Sequence, residues 1–162
     1  MTLSFAKRVE RGDDRKQLLL HALRRGAMIF GIGLLLNLIP AFDLPHVRIM
    51  GVLQRIGLCV LVAGAIFLWG GARGAAASAA ALLLLYWALM RTAPLDPQSN
   101  LAAKIDAAIF GPHTWKPGWD PEGLLSTLPA IATTLCGTVA GERLRAPLSP
   151  ARRIGELLAG GA

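Results

Sequence analysis

Charged residues and cysteine are scarce in this chain, and each shortage closes a class of function. Ten Asp and Glu stand against seventeen Lys and Arg in 162 residues, and charged residues make up only 17% of the total. With 54% hydrophobic residues and a mean hydropathy of +0.50, that shortage excludes an ordinary soluble domain of this length. The two cysteines, Cys59 and Cys136, both lie inside apolar runs. This excludes a disulfide framework and a CxxC metal site and makes them small core hydrophobes. The net charge of +7 invites a nucleic-acid reading, but the cations flank hydrophobic runs and form no patch interleaved with aromatics. Nucleic acid is therefore set aside as a partner. The opening residues show no basic stretch, short apolar core and cleavage site of a removable signal, so the hydrophobic segments themselves must direct the chain to the lipid bilayer.

What is present is a set of four hydrophobic segments, which predicts an all-α, polytopic membrane helix bundle. The spans fall at about 22–38, 52–69, 75–90 and 124–140 within one domain over 1–162. Pro40 stops the first, the GGARG stretch at 70–74 reverses the chain between the second and third, and Pro129 inside the fourth predicts a kink. Lys and Arg are asymmetric between the connections. Lys7, Arg8, Arg11, Arg15, Lys16, Arg24 and Arg25 precede the first span, Arg73 lies in the second turn, and Arg143, Arg145, Arg152 and Arg153 follow the fourth. By the positive-inside rule these twelve are cytoplasmic, which places both chain ends inside. The other side carries Arg48, Arg91, Lys104 and Lys116 against Asp43, Asp96, Asp106, Asp120 and Glu122.

The long outer loop, 91–123, is predicted to be ordered. Asn100 can cap a short amphipathic helix whose Leu101, Ile105 and Ile109 recur at i, i+4 and i+8, with Lys104 and Asp106 on other faces. The following FGPHTWKPGWDPEG stretch suits a cover over a cavity mouth, with Trp115 and Trp119 as interfacial anchors or a sugar-stacking surface.

Gln54 and Arg55 are the most informative residues of the spans, because a guanidinium inside a membrane needs an anion or a wet cavity. If the second span extends back to Arg48, the seven-residue spacing puts Arg48 and Arg55 on one face, where the two can hold a phosphate or carboxylate. The competing reading is that Arg55 snorkels, or pairs with Asp43 or Asp120 for structure. Asp120, Pro121, Glu122 and Gly123 are either a capped helix entry or a carboxylate pair that binds an amine or serves as a base. His113 is either a proton shuttle or polar surface, and His46 and His21 are weaker versions of the same choice. Ser126, Thr127, Thr133, Thr134, Gly137 and Gly141 read as close helix packing.

Three stretches carry a family resemblance: VRIMGVLQRIGLC at 47–59, KIDAAIFGPHTW at 104–115 and WDPEGLLSTLPAIATTLCGTVAGE at 119–142. In this order they resemble bacterial relatives of heparan-alpha-glucosaminide N-acetyltransferase, and the similarity covers nearly the whole chain. The resemblance implies a multi-pass acyltransferase that moves an acetyl group from acetyl-CoA across the membrane to an amino sugar or other glycan. It carries over to Gln54 and Arg55 of GVLQR and to Asp120, Glu122 and Gly123 of DPEG as pocket or gate residues. The family's catalytic histidine motif, HAxWxG, does not occur here, and neither His46 nor His113 matches it. The opening MTLSFAKR resembles the end of a family helix and the closing RRIGELLAGGA the start of another, so the chain reads as truncated at both ends and inactive alone. The rival class is a transport or structural membrane protein in which the same charges form a polar pathway or a salt-bridged interface. Oligomer formation is compatible with both.

Overall fold

The computed structural model describes residues 12, 14–39, 41–147, 149, 152, 154, 155, 158 and 159. Lys7, Arg8, Arg11, Pro40 and Arg153, which entered the orientation and span arguments, lie outside the described residues, as does most of the opening and closing sequence. Among the described residues the regular elements are helices α1 (Arg15–Leu38), α2 (Val52–Met90), α3 (Leu101–Phe110) and α4 (Thr127–Arg145), with a short 3-10 turn at Leu44–His46. The all-helical class stands. Two of these helices, α1 and α2, are long and apolar enough to cross a membrane.

Helix α1 starts roughly two turns earlier than its apolar run, because the Asp14 carboxylate accepts from the Lys16 N–H at 3.1 Å and caps it. It packs antiparallel on the first half of α2. At the crossing the chains meet through glycine: a methyl on Gly57 would fall 2.7 Å from the Gly26 carbonyl oxygen, so no larger residue fits without separating the helices. Leu18 and Ala22 of α1 then bury against Leu68 of α2.

The second and third expected spans are one 39-residue helix by hydrogen bonding, interrupted only at Gly71 (φ 59°, ψ −160°). The GGARG stretch is therefore a one-residue break and not an open loop. Glycine reaches this backbone region without the Cβ clash that bars other residues. A straight helix would hold Ala79 about 24 Å beyond Ala63 along its axis, yet both are buried in one core. The chain thus folds back at Gly71. Ala75 and Ala79 of the returning arm share one core with Cys59, Ala63 and Phe67 of the first arm and with Ile131, Ala132 and Leu135 of α4. Alanine at these contacts lets three helical segments approach closely.

Helix α4 begins at Thr127, three residues later than expected, which moves Pro129 into the first turn. There its missing N–H has no intrahelical partner to lose, so the predicted kink is not needed, and none interrupts the helix. Its threonines, with Glu142, Arg143 and Arg145, make α4 less apolar than α1 and α2, and Thr133, Thr134 and Thr138 each donate to the carbonyl four residues back. Cys59 is buried as expected, whereas Cys136 is on the exposed side of α4.

Met28, Ile32, Leu35 and Leu36 of α1 and Leu83, Leu84, Leu85 and Trp87 of α2 point outward. Outward apolar side chains in this number are costly in water and suited to hydrocarbon.

Candidate functional site

Helix α2 starts at Val52, so Arg48 is not on it, and the expected face shared with Arg55 does not form. Arg48 instead sits in an extended segment held from two sides. Its carbonyl accepts from Asn37 Nδ2 at the end of α1 (2.9 Å), and the flanking Val47 and Ile49 are tied to His113. His113 Nδ1–H donates to the Val47 carbonyl at 2.9 Å, and the Ile49 N–H donates to the His113 carbonyl at 3.0 Å. His113 therefore fastens the long loop across the 47–49 segment.

Beyond His113 the loop makes a tight reversal at Pro117 and Gly118, closed by reciprocal backbone bonds between Lys116 and Trp119. The Trp115 and Trp119 rings stand 5.4 Å apart, with the Lys116 ammonium 4.8 Å from the Trp115 ring centre. This reversal delivers Asp120 to the head of α2.

Asp120 is only 4% exposed, yet its carboxylate is fully supplied with donors. Arg48 Nε donates to Oδ2 at 2.9 Å and Nη2 to Oδ1 at 2.7 Å, a two-pronged contact, while the Trp115 and Glu122 N–H groups donate at 3.0 and 2.9 Å. Arg48 Nη2 also donates to Glu122 Oε2. The bond to Asp120, followed by the attraction of both carboxylates, holds the Arg48 guanidinium even more firmly protonated than usual, against the opposing effect of burial. Arg48 thus joins the two DPEG carboxylates, one cation between two anions.

Arg55, one turn into α2, reaches the same turn from beneath: Nη2 donates to the Pro121 carbonyl and to Ser126 Oγ, both at 2.5 Å. Ser126 Oγ–H in turn lies within reach of the Pro121 and Gly123 carbonyls, and Thr127 Oγ1 donates to the latter at 2.9 Å. Arg55 Nε is buried without a partner. Gln54, 1% exposed, turns the other way: its amide packs on Gly33 and Gly51, with Nε2 unpartnered. The structure therefore brings together Arg48, Arg55, Asp120, Glu122 and Gly123, and leaves Gln54 in the α1–α2 seam and His113 on the loop fastening.

One site residue is missing from the sequence argument. The expected apolar face of α3 was Leu101, Ile105 and Ile109, but Ile109 is 57% exposed, and the fully covered residues are Ala103 and Asp106, the latter 0% exposed. Asn100 caps α3 as predicted, its Oδ1 accepting from the Ala103 N–H at 2.8 Å. Helix α3 turns its small-residue side inward because Asp106 Oδ1 accepts the Leu124 N–H at 2.8 Å at the entry to α4. The clue in the sequence was Ala103, Asp106 and Phe110 at i, i+3 and i+7, a second face that the more hydrophobic stripe outweighed. Asp106 Oδ2 has no partner and lies against Gly123, where a Cβ would be 1.7 Å away. Beside it, Leu58, Val62, Ile105, Leu124, Leu125, Thr127, Leu128 and Ile131 line an open, almost wholly apolar hollow of about 390 Å³.

Burial raises the Asp106 carboxyl above its ordinary value. The Leu124 N–H and Arg55 pull it down, and Asp120 pushes it up. Because the folded value exceeds the unfolded one, folding takes up a proton in the window between them. The stability linked to Asp106 is full below the usual 3.8 and is lost as pH rises through the raised value. Asp106→Asn keeps an acceptor for Leu124 and carries no charge. Its unfolding free energy relative to the original protein is expected to rise with pH across that window and to level off on either side. Denaturant melts over a pH series check this, and a difference that does not vary with pH would show that the carboxyl is unshifted.

Two helices long and apolar enough to cross a membrane, with a buried charge network at the head of α2, define the class as a membrane protein with a polar site at the loop end of its helices. The chain belongs to the heparan-alpha-glucosaminide N-acetyltransferase family: the model of that family's catalytic domain matches residues 1–155, which contain every stretch of this site. No curated protein matches the chain.

Proposed function

We propose that this chain forms the acceptor side of a membrane acetyltransferase, in which acetyl-CoA is the donor and an amino sugar or related glycan the acceptor. The single observation that carries the reading is the Arg48–Asp120–Glu122 network, built from the two motifs most specific to the family and stacked directly on Arg55. With Arg48 committed to two carboxylates, this mouth suits the ammonium and hydroxyl groups of an amino sugar better than the phosphates of a CoA nucleotide. Exposed Arg15, Lys16 and Arg73 lie at the opposite end of the helices, where phosphates would find partners, and Arg24 and Arg25 stand midway along α1 beside its crossing at Gly26. Four spans, made of α1, the two arms of α2, and α4, would set that basic end in the cytoplasm and the mouth on the far side, so that acetyl moves between them. In this reading Glu122 and Asp120 receive the acceptor, Arg55 with Gly123 shapes the pocket floor, Gln54 fixes the α1–α2 seam, and His113 keeps the loop closed. Since the HAxWxG motif is not among these residues, the 162-residue chain by itself is proposed to be inactive.

The test uses the complete protein in lipid vesicles, with acetyl-CoA and glucosamine. Arg55→Ala removes the support of the 121–126 turn and is expected to lower kcat/KM on the order of 10- to 100-fold, the loss of one to two buried charge-assisted bonds. Unchanged turnover would remove Arg55 from the site. Accumulation of sugar in the vesicles with no acetylated product would support transport instead.

A further inference from the structure

Asp106 is a buried acid that the proposed roles so far do not use. One of its oxygens is spent on the Leu124 N–H, and the other is unpartnered in a fully covered position. Unpaired buried polar atoms are rare, because each forfeits its hydration without replacement. Arg55 Nε is unpartnered beneath the same turn and near enough for its charge to act on Asp106. An open acceptor and an open donor thus both border residues 121–126. What Oδ2 lacks is a small hydrogen-bond donor, such as an amine or a hydroxyl.

We propose that Asp106 Oδ2 is the proton acceptor for the sugar amine, lying behind the Arg48–Asp120–Glu122 mouth. This rests on the acetyl-transfer reading given above. Three further observations fit the role. Gly123 is the residue that covers Oδ2, and it presents no side chain there. The cover is the same short turn whose Glu122 is held by Arg48, so an incoming ammonium that pairs with Glu122 competes with the contact that keeps the turn shut. Finally, the adjoining hollow is lined almost entirely by apolar side chains, which favours a neutral amine over an ammonium at the moment of attack.

The ammonium first gives up one proton to bulk solvent at the mouth; the neutral amine nitrogen then adds its lone pair to the thioester carbonyl carbon, and the carbon–sulfur bond breaks with its electrons leaving on sulfur. The proton lost from nitrogen passes to Asp106 Oδ2 and then to the thiolate, giving the amide and the free thiol. The charged groups that face Asp106 are Arg55 from α2 and Asp120 from the loop, with Arg48 and Glu122 behind Asp120 and Lys104 on its own helix.

The experiment measures acetylation of glucosamine by the complete protein in vesicles across a pH series. Asp106→Asn preserves the acceptor for Leu124 and is expected to lower kcat on the order of 100-fold, the usual contribution of a positioned base. It should leave the KM for acetyl-CoA unchanged and abolish the acid limb of the kcat profile. An Asp106→Asn protein within threefold of the original, with the same acid limb, would overturn this role and leave the acetyl-transfer reading intact. An original protein that acetylates no amine would overturn both. If the variant does not fold, the original protein decides alone: an acid limb supports the role, and a kcat that is flat through the acid range rejects it.

Discussion

Arg48→Leu is expected to destabilise the folded chain by about 3–5 kcal/mol, the cost of leaving a buried ionised group without its partner. The size follows from where the charges sit. Asp120 is nearly inaccessible to solvent and takes two of its four donors from this one guanidinium, and Glu122 is held by the same nitrogen. Removing the cation leaves two carboxylates side by side with only the Trp115 and Glu122 N–H groups to stabilise them, and they repel one another. A loss of this size is a large part of the margin of a typical domain, about 5–15 kcal/mol. Reversible unfolding in mixed micelles is the direct measurement. Asp120→Asn added to Arg48→Leu should recover part of the loss, because the buried charge goes while the shape remains. A single variant that loses less than about 1 kcal/mol would mean that the network is hydrated like an ordinary surface pair.

Gly123→Ala is the second large effect, and its cause is space. The added carbon would stand 1.7 Å from Asp106 Oδ2 and 2.3 Å from its Cγ. Asp106 cannot swing away freely, since α3 holds its backbone and the Leu124 N–H holds its other oxygen. Either the turn or the helix must move, and in moving it leaves the Leu124 N–H unpaired at the entry to α4. Overpacking and a stranded buried donor each cost about 1–3 kcal/mol, so a combined loss of about 3 kcal/mol or more is expected. Two readouts distinguish this from a general weakening. The Leu124 amide should exchange its hydrogen faster, and Asp106→Ala in the same chain should relieve the overlap so that the double variant falls short of the sum of the singles. Strictly additive losses would show that residues 106 and 123 do not meet.

Both effects turn on contacts that reading along the chain does not display. Arg48 and Asp120 are 72 positions apart and belong to segments without helical periodicity, so nothing local pairs them. Loop charge alone sets these residues on one side of the membrane, and the helical spacing that would link Arg48 to Arg55 fails because α2 begins only at Val52. Asp106 was legible as a polar residue on an amphipathic helix and was set on the wrong face. Burial followed the one available backbone donor, Leu124 N–H, and not the more hydrophobic stripe. Pro129 shows the same limit on a smaller scale: a shift of three residues in the start of a helix decides whether a proline kinks it.

By itself, the sequence determined what depends on composition and short-range pattern. The helical class and the apolar segments follow from runs of residues that satisfy their own backbone only as helices in an apolar medium. The Asn100 cap follows from a side chain three residues from its donor, and membership of the acetyltransferase family was already visible in the VRIMGVLQRIGLC and WDPEG stretches. Which charges share a site is set by packing between distant segments. That choice depends on the close crossing at Gly26 and Gly57, the reversal at Gly71 and the loop that His113 fastens beside Arg48, which together set the head of α2 against residues 120–126. Hydrogen bonds and ion pairs act over a few ångströms, so packing between distant segments, and not the order of residues, determines which atoms meet.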